Sequence, residues 1–233
     1  SVMTWEKMEG ELERRISETN GMHPVTKQLH DNLEAILNND WDDIDPSFLF
    51  NNAARIMRFS RLVPRKTEVA NHDKLIFIHG PTGTGKTSLF RRWTDPRYIY
   101  TMSATTHWFD GYMRQPIILI DNVDPESFQK RIMDWNRFGD RCSTTVKIKH
   151  GTVNLHNDWF VVISNYSLHD LCTKTLPSGE MRFDSVLYST FQRYCGNPED
   201  GYRIMEIKEG TYDYNSKRDA ARVIRELCGK YAD

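Results

Sequence analysis

The run Gly80-Pro-Thr-Gly-Thr-Gly-Lys86-Thr87-Ser88 constrains this chain more than any other stretch. It fits G-x-x-x-x-G-K-[ST] and lies between a short apolar segment, Leu75 to His79, and a helical pattern that continues to Trp93. A glycine-rich turn that joins a buried strand to a helix leaves backbone N–H groups pointing into one hollow, and such a hollow attracts anions. Gly80, Pro81, Thr82, Gly83, Thr84, Gly85, Lys86, Thr87 and Ser88 are therefore the expected cradle for a nucleoside triphosphate, ATP in the first instance. Lys86 supplies a point charge and the Thr87 hydroxyl a ligand for Mg2+.

With 233 residues, 39% apolar and 12% aromatic, the chain fills one large core, or a main core with a small companion. No run of about 18 apolar residues is present, so no membrane span is expected. The start, Ser1-Val-Met-Thr-Trp-Glu6, lacks the basic and apolar regions of a secretory signal and reads as an internal cut. Cys142, Cys172, Cys195 and Cys228 form no C-x-x-C pair and have no His at ligand spacing. They read as free thiols of a reducing compartment, not as a zinc site. A net charge of −1 excludes a protein that coats nucleic acid with one whole basic face. Any such binding must use a local patch of a few cations.

Residues 1–68 read as helices: one stripe of Trp5, Met8, Leu12 and Ile16, a second of Leu29, Leu33, Ile36 and Leu37, and a third opening at Asp45-Pro46. They suggest a small bundle, either a packing cap or an oligomerisation collar. From residue 69 strands alternate with helices, the pattern of an α/β domain with a mostly parallel sheet. Strands are expected at Leu75 to His79, Tyr98 to Met102, Ile117 to Asp121, Thr144 to Ile148, Gly151 to Leu155 and Phe160 to Ser164. Helices are expected at Thr87 to Trp93 and Glu126 to Phe138, then a loop at Pro177-Ser-Gly179 and a helix from Asp184 to Tyr194. A strand at Ile204 to Ile207 and a helix from Ser216 to Leu227 complete the core, so that 69–195 is the main body and 196–233 its closing segment.

Three further elements carry chemistry. Ile117-Ile-Leu-Ile-Asp121 is an aliphatic strand that ends in a carboxylate, suited to orient the Mg2+ shell beside the phosphate loop. Trp159-Phe-Val-Val-Ile-Ser-Asn165 ends in an amide that either positions the attacking water or merely closes a turn. Between them, alternating Val146, Ile148 and Val153 around His150-Gly151 argue for a β-hairpin that presents Lys147, Lys149 and His150. Such a tip either grips a phosphate backbone or is a solvated edge protected from aggregation.

All four elements fit within the 86 residues from Gly80 to Asn165, and this ordered set resembles the superfamily 3 helicases of small DNA viruses. More narrowly, Trp108-Phe-Asp-Gly-Tyr112 and Thr145-Val-Lys-Ile-Lys-His-Gly-Thr-Val153 resemble the replication initiator (Rep) proteins of circular single-stranded DNA viruses, and Asp121-Asn-Val-Asp-Pro125 is similar to the geminivirus form. The resemblance, over roughly 70–195, implies an AAA+-like P-loop ATPase behind a helical collar formed by 1–68, assembled as a homohexameric ring. It implies that the hairpins line a pore around single-stranded DNA with Lys149 as the principal cation, and that the protein acts in the host cell nucleus beside host replication proteins. It also implies an arginine that reaches the neighbouring subunit's γ-phosphate, for which Arg193 in Phe191-Gln-Arg-Tyr194 is the best match; otherwise Arg193 is an exposed helical residue.

One position departs from that family. Asn122 stands where a second acid is usual, and an amide cannot accept a proton. Either Asp124 acts as base through a water, or hydrolysis is slow and the chain is a nucleotide-gated DNA-binding scaffold. The family's His-hydrophobic-His metal site and Tyr nucleophile are absent, so this stretch is not expected to nick DNA.

Overall fold

The computed structural model describes residues 14, 28, 31, 32, 35, 36, 43–62, 73–142, 144–149, 151–197, 199, 201–208 and 214–231. It divides into two compact units, one made of 1–68 with Asp110–Arg114 and Thr145–Leu155, the other of Val69–Phe109, Gln115–Thr144 and His156–Asp233. In chain order the elements are α1 (Pro46–Leu62), β1 (Leu75–His79), α2 (Lys86–Arg92), β2 (Ile99–Ser103), β3 (Ile117–Val123), α3 (Pro125–Lys130) and α4 (Ile132–Gly139). There follow β4 (Thr145–Ile148), β5 (Gly151–Asn154), β6 (Trp159–Ser164), α5 (Leu168–Leu171), β7 (Thr173–Thr175) and β8 (Met181–Phe183). The last are α6 (Ser185–Tyr194), β9 (Gly196–Asn197), β10 (Gly201–Tyr202), β11 (Ile204–Glu206) and α7 (Tyr214–Cys228).

The larger unit is built on a five-stranded sheet in the order β11-β1-β6-β3-β2, parallel at every pairing. This is the expected α/β class. The central strands are apolar along their whole length because a parallel sheet is covered on both faces, and β1, β3 and β6 are buried through their aliphatic runs. Alternate residues separate the two faces. Ile76, Ile78, Leu119 and Val161 pack against Phe90 of α2 and Ala220, Ile224 and Cys228 of α7. On the other face the packing is aromatic: Phe138 of α4 stacks on Phe160 at 4.4 Å, and Phe191 of α6 meets Phe77 edge-on at 5.8 Å.

Strand limits fall within two residues of expectation, but three features differ. The single helix expected from Glu126 to Phe138 is two, broken at Arg131. The Arg131 guanidinium, 1% exposed, donates to the carbonyls of Ala104 (2.7 Å) and Ser103 (3.0 Å) at the end of β2 and pairs with Asp134 at 3.6 Å. A buried cation needs such partners, and reaching them takes priority over helical continuity. The Pro177-Ser-Gly179 loop is the tip of an antiparallel hairpin, β7 with β8. The short α5 was not foreseen; Ser167 and Asp170 cap it reciprocally.

In the smaller unit, α1 starts at the expected Pro46, with the Asp45 carboxylate accepting from Phe48 N–H at 2.7 Å. Ile36, Ile44, Phe48 and Ile56 form a small core. The first apolar stripe, and all of the second except Ile36, lie outside the described residues. The hairpin expected between Asp121 and Asn165 is present as β4 paired with β5, with Val146, Ile148 and Val153 buried and Lys147 exposed. His150 lies outside the described residues.

Candidate nucleotide-binding site

In an open parallel sheet a ligand sits beyond the carboxyl ends of the strands, where the chain leaves in opposite directions from two neighbours. Here β1 lies between β6 and β11, and the phosphate loop begins as β1 ends. The loop's shape is backbone chemistry that only glycine permits. Gly80 has φ +142°, and a Cβ there would fall 1.9 Å from the carbonyl oxygen of Ile207, whose own N–H is held by His79 O at 2.7 Å. Gly85 is the N-cap of α2 in the left-handed region, φ 84°, with no side chain on the helix's first N–H groups. Thr84 Oγ1 ties the loop back to Pro81 O at 3.0 Å.

Lys86 is buried, 6% exposed, and its ammonium donates to Gly80 O (2.7 Å), Pro81 O (2.7 Å) and Asn165 Oδ1 (2.9 Å). An ammonium has three protons, so all are placed. Burial pushes its pKa below the ordinary 10.5, and the Asp121 carboxylate opposes that shift. Lys86 thus joins the loop to the end of β6 and links residues 79 positions apart. Asn165 itself is exposed at that strand end. A second bond closes the other side: Thr87 Oγ1 donates to Asp121 Oδ2 at 2.9 Å. The structure therefore brings Lys86, Thr87, Asp121 and Asn165 into one cluster on α2, β3 and β6.

Asp121 is aimed by a bulge. Ile120 pairs with Val162 and Val123 with Ser164, so three steps along β3 match two along β6. Asn122 occupies the bulge with φ 56°, a region where Asn is several-fold enriched, and its N–H donates to Asp121 Oδ1 at 2.8 Å. Ser164, absent from the sequence-derived site, closes the bulge by donating to Val123 O at 2.6 Å. Nothing in an aliphatic run signals a bulge; the alternation simply continues past it.

Asp124 is a helix cap. Its carboxylate accepts from Ser127 N–H at 2.7 Å at the head of α3, and its own N–H donates to Ser127 Oγ at 3.1 Å. Those bonds to Ser127 hold its carboxyl below the ordinary 3.8. Because the folded pKa is the lower one, the cap stabilises above the ordinary value and its contribution fades as pH falls through the folded value. Asp124→Ala is expected to cost about 1 kcal/mol at neutral pH. Denaturant melts at pH 7 and at pH 2.5 check it, and the difference should shrink at the lower pH.

Arg193 is exposed in the last turn of α6, its guanidinium 4.8 Å from the Tyr194 ring centre. A second exposed cation, Arg182, stands on β8 between exposed Met181 and Phe183. Sequence reading passed over it because a three-residue strand beyond a Pro-Ser-Gly turn has too little pattern to register. Pro81, Thr82 and Ser88 are exposed along the loop and helix start. Lys147 and Lys149 belong to the other unit. Among the described residues no group of His, Cys, Asp and Glu side chains is arranged to hold a metal by itself. An ion at Thr87 and Asp121 needs oxygens from a ligand, which is how Mg2+ is ordinarily held with phosphates. No helix among the described residues is long and apolar enough to cross a membrane.

Residues 76–166 match the RNA helicase family. The Replication-associated protein of Porcine circovirus 1 is 24% identical over 169 residues, 70% of this chain and 49% of that protein, so the chain spans about half its length. The Genome polyprotein of Human rhinovirus 16 is 30% identical over 90 residues, 35% of this chain and 4% of the polyprotein. Two apo structures of the NrS-1 C-terminal region align over 90% and 91% of this chain and 45% of theirs, with 12% and 13% identity. Their TM-scores are 0.34 and 0.31.

Proposed function

We propose that this chain is an ATP-driven superfamily 3 helicase motor on single-stranded DNA, a reading supported by its match to the RNA helicase family over 76–166 and its similarity to a circovirus Replication-associated protein. The observation that supports this reading is the paired contact Lys86–Asn165 and Thr87–Asp121, which gathers the loop lysine, the helix threonine and the ends of β3 and β6 into one cluster. Phosphate oxygens take the place of the carbonyl and amide oxygens now around Lys86. Thr87 and Asp121 would hold Mg2+, which would supply charge neutralisation to the phosphates. Asn165, freed from Lys86, orients the attacking water.

The proton acceptor separates two readings. Asn122 offers no base, and Asp124 is occupied as a cap and made less basic by it. This favours, as a second reading, a nucleotide-gated DNA-binding scaffold with slow hydrolysis. The likeness to a rhinovirus polyprotein segment favours an RNA-virus type of helicase as an alternative track.

The site also needs a cation opposite Lys86, and the ring arrangement supplies it from a neighbouring subunit. Arg193 was the sequence-derived candidate. Arg182, exposed on β8 of the β7–β8 hairpin, is a second candidate, and Arg193 lies beside its own Tyr194. The hairpin lysines Lys147 and Lys149, with His150, would grip the DNA backbone. Action in the nucleus with host replication proteins belongs to the same proposal.

Steady-state ATPase with and without oligo-dT or oligo-U, together with native mass in nucleotide, tests it. A motor shows turnover raised by oligo-dT above oligo-U, in a six-chain species, and loses that turnover in Arg182→Ala or Arg193→Ala. Binding with negligible turnover selects the scaffold, and stronger stimulation by oligo-U selects the RNA track.

A further inference from the structure

The hairpin that carries Lys147 and Lys149 is held by a carboxylate from a distant part of the chain. Asp110, in the Trp108-Phe-Asp-Gly-Tyr112 segment, accepts from the Lys149 backbone N–H at 2.6 Å through Oδ1, and its Oδ2 lies 3.7 Å from the Lys149 ammonium. One oxygen fixes the backbone where β4 ends. The other faces the charge on the same residue. Gly111, at φ 81°, turns the chain directly after Asp110. The rest of the hairpin is anchored independently, by buried Val146 opposite Val153 and by Thr145 Oγ1 donating to Asn154 Oδ1 at 2.7 Å.

The pair is open to solvent, with the Lys149 side chain 75% exposed and that of Asp110 38%. A polyanion therefore competes with Asp110 for the ammonium without having to open the fold. The backbone bond is the tighter of the two contacts, 2.6 Å against 3.7 Å, so the ammonium is the contact a polyanion takes first. Presentation and charge thus separate on one carboxylate.

We propose that Asp110 is both the positioning residue and the built-in counter-ion of the hairpin: it fixes the turn that presents Lys149 and holds that charge until a nucleic-acid backbone takes it. The proposal rests on the reading that the hairpin binds single-stranded nucleic acid. Asp110 then sets how strongly the hairpin holds any backbone, lowering affinity for a strand that reaches Lys149 alone.

Asp110→Asn tests this, because it keeps an oxygen for the Lys149 N–H and removes the charge. Fluorescence anisotropy with labelled oligo-dT is measured for the full chain, Asp110→Asn, Lys149→Ala and the double variant, across 50 to 300 mM KCl. Asp110→Asn is expected to bind about two- to fivefold more tightly at low salt, the range an exposed ion pair commands. The slope of log affinity against log salt should steepen by up to about 0.7, one further phosphate contact on a single strand. In the Lys149→Ala background the same substitution should change neither quantity. A purely structural role would alter affinity without adding to the salt slope. If Lys149→Ala binds as tightly as the unmodified chain, the hairpin reading fails and the proposal with it. If Lys149→Ala weakens binding while Asp110→Asn leaves affinity and slope unchanged, or weakens binding, the hairpin reading stands and the counter-ion role is overturned.

Discussion

Gly80→Ala is expected to lower the melting temperature by roughly 4 to 24 °C, the larger of two effects on this fold. The Cβ would lie 1.9 Å from the Ile207 carbonyl oxygen, a backbone atom that cannot rotate away, and the residue sits at φ +142°. Holding a residue with a side chain in that region costs about 1–3 kcal/mol. Forcing apart a packed contact costs a further 1–3 kcal/mol or so. In a chain of this size each kcal/mol moves the midpoint by about 2–4 °C. Ile207 follows the edge strand β11 and donates to His79 O at 2.7 Å, so the displacement is carried to the end of β1 and into the phosphate loop. Nucleotide binding should fall with stability. A thermal melt within about 2 °C of the unmodified protein would show that Ile207 moves aside freely, and that the loop is not fixed by this contact.

Lys86→Met should separate binding from folding. Removing the ammonium deletes three hydrogen bonds but also a buried charge whose pKa burial has depressed. The sign follows from that depression: protonated Lys86 is held at a cost in the folded state, and stability increases as pH rises through the folded pKa. The substituted apo protein should therefore melt at or above the unmodified midpoint, with the high-pH increment gone. Its nucleotide response should vanish. At a hundredfold excess of ATP over Kd a ligand adds about 2.7 kcal/mol, a readily measured rise in melting temperature that Lys86→Met should lack. Turnover should fall by about 10²- to 10³-fold, the usual consequence of losing one preorganised donor. A nucleotide-dependent shift that survives the substitution would place the triphosphate elsewhere.

The strands that build this site were legible because a parallel sheet is buried on both sides and must be written in unbroken aliphatics. Leu75 to His79, Ile117 to Asp121 and Phe160 to Ser164 each end at a polar residue, and those ends are where the structure assembles Lys86, Thr87, Asp121 and Asn165. The glycine pattern was legible for an equally local reason, since a loop that needs positive φ has few residues to choose from.

What escaped the sequence depends on contacts between residues remote in the chain. Arg131 breaks a helix in order to reach Ser103 and Ala104, 28 and 27 residues away. The β3 bulge that seats Asn122 arises from pairing with β6, about 40 residues on, and gives that amide a backbone reason apart from chemistry. Asp110 reaches Lys149 across 39 residues.

The chain by itself determined that a glycine-rich loop follows the first strand of an α/β sheet, because that loop, the acidic strand and the amide-ended strand are each local patterns whose residue types follow from backbone geometry and burial. Only the tertiary structure decided what each polar residue is free to do. A hydrogen bond commits an oxygen or a proton to one partner, and the partners that Lys86 finds in Asn165 and Asp110 in Lys149 are chosen by register and packing, which no short stretch of sequence contains.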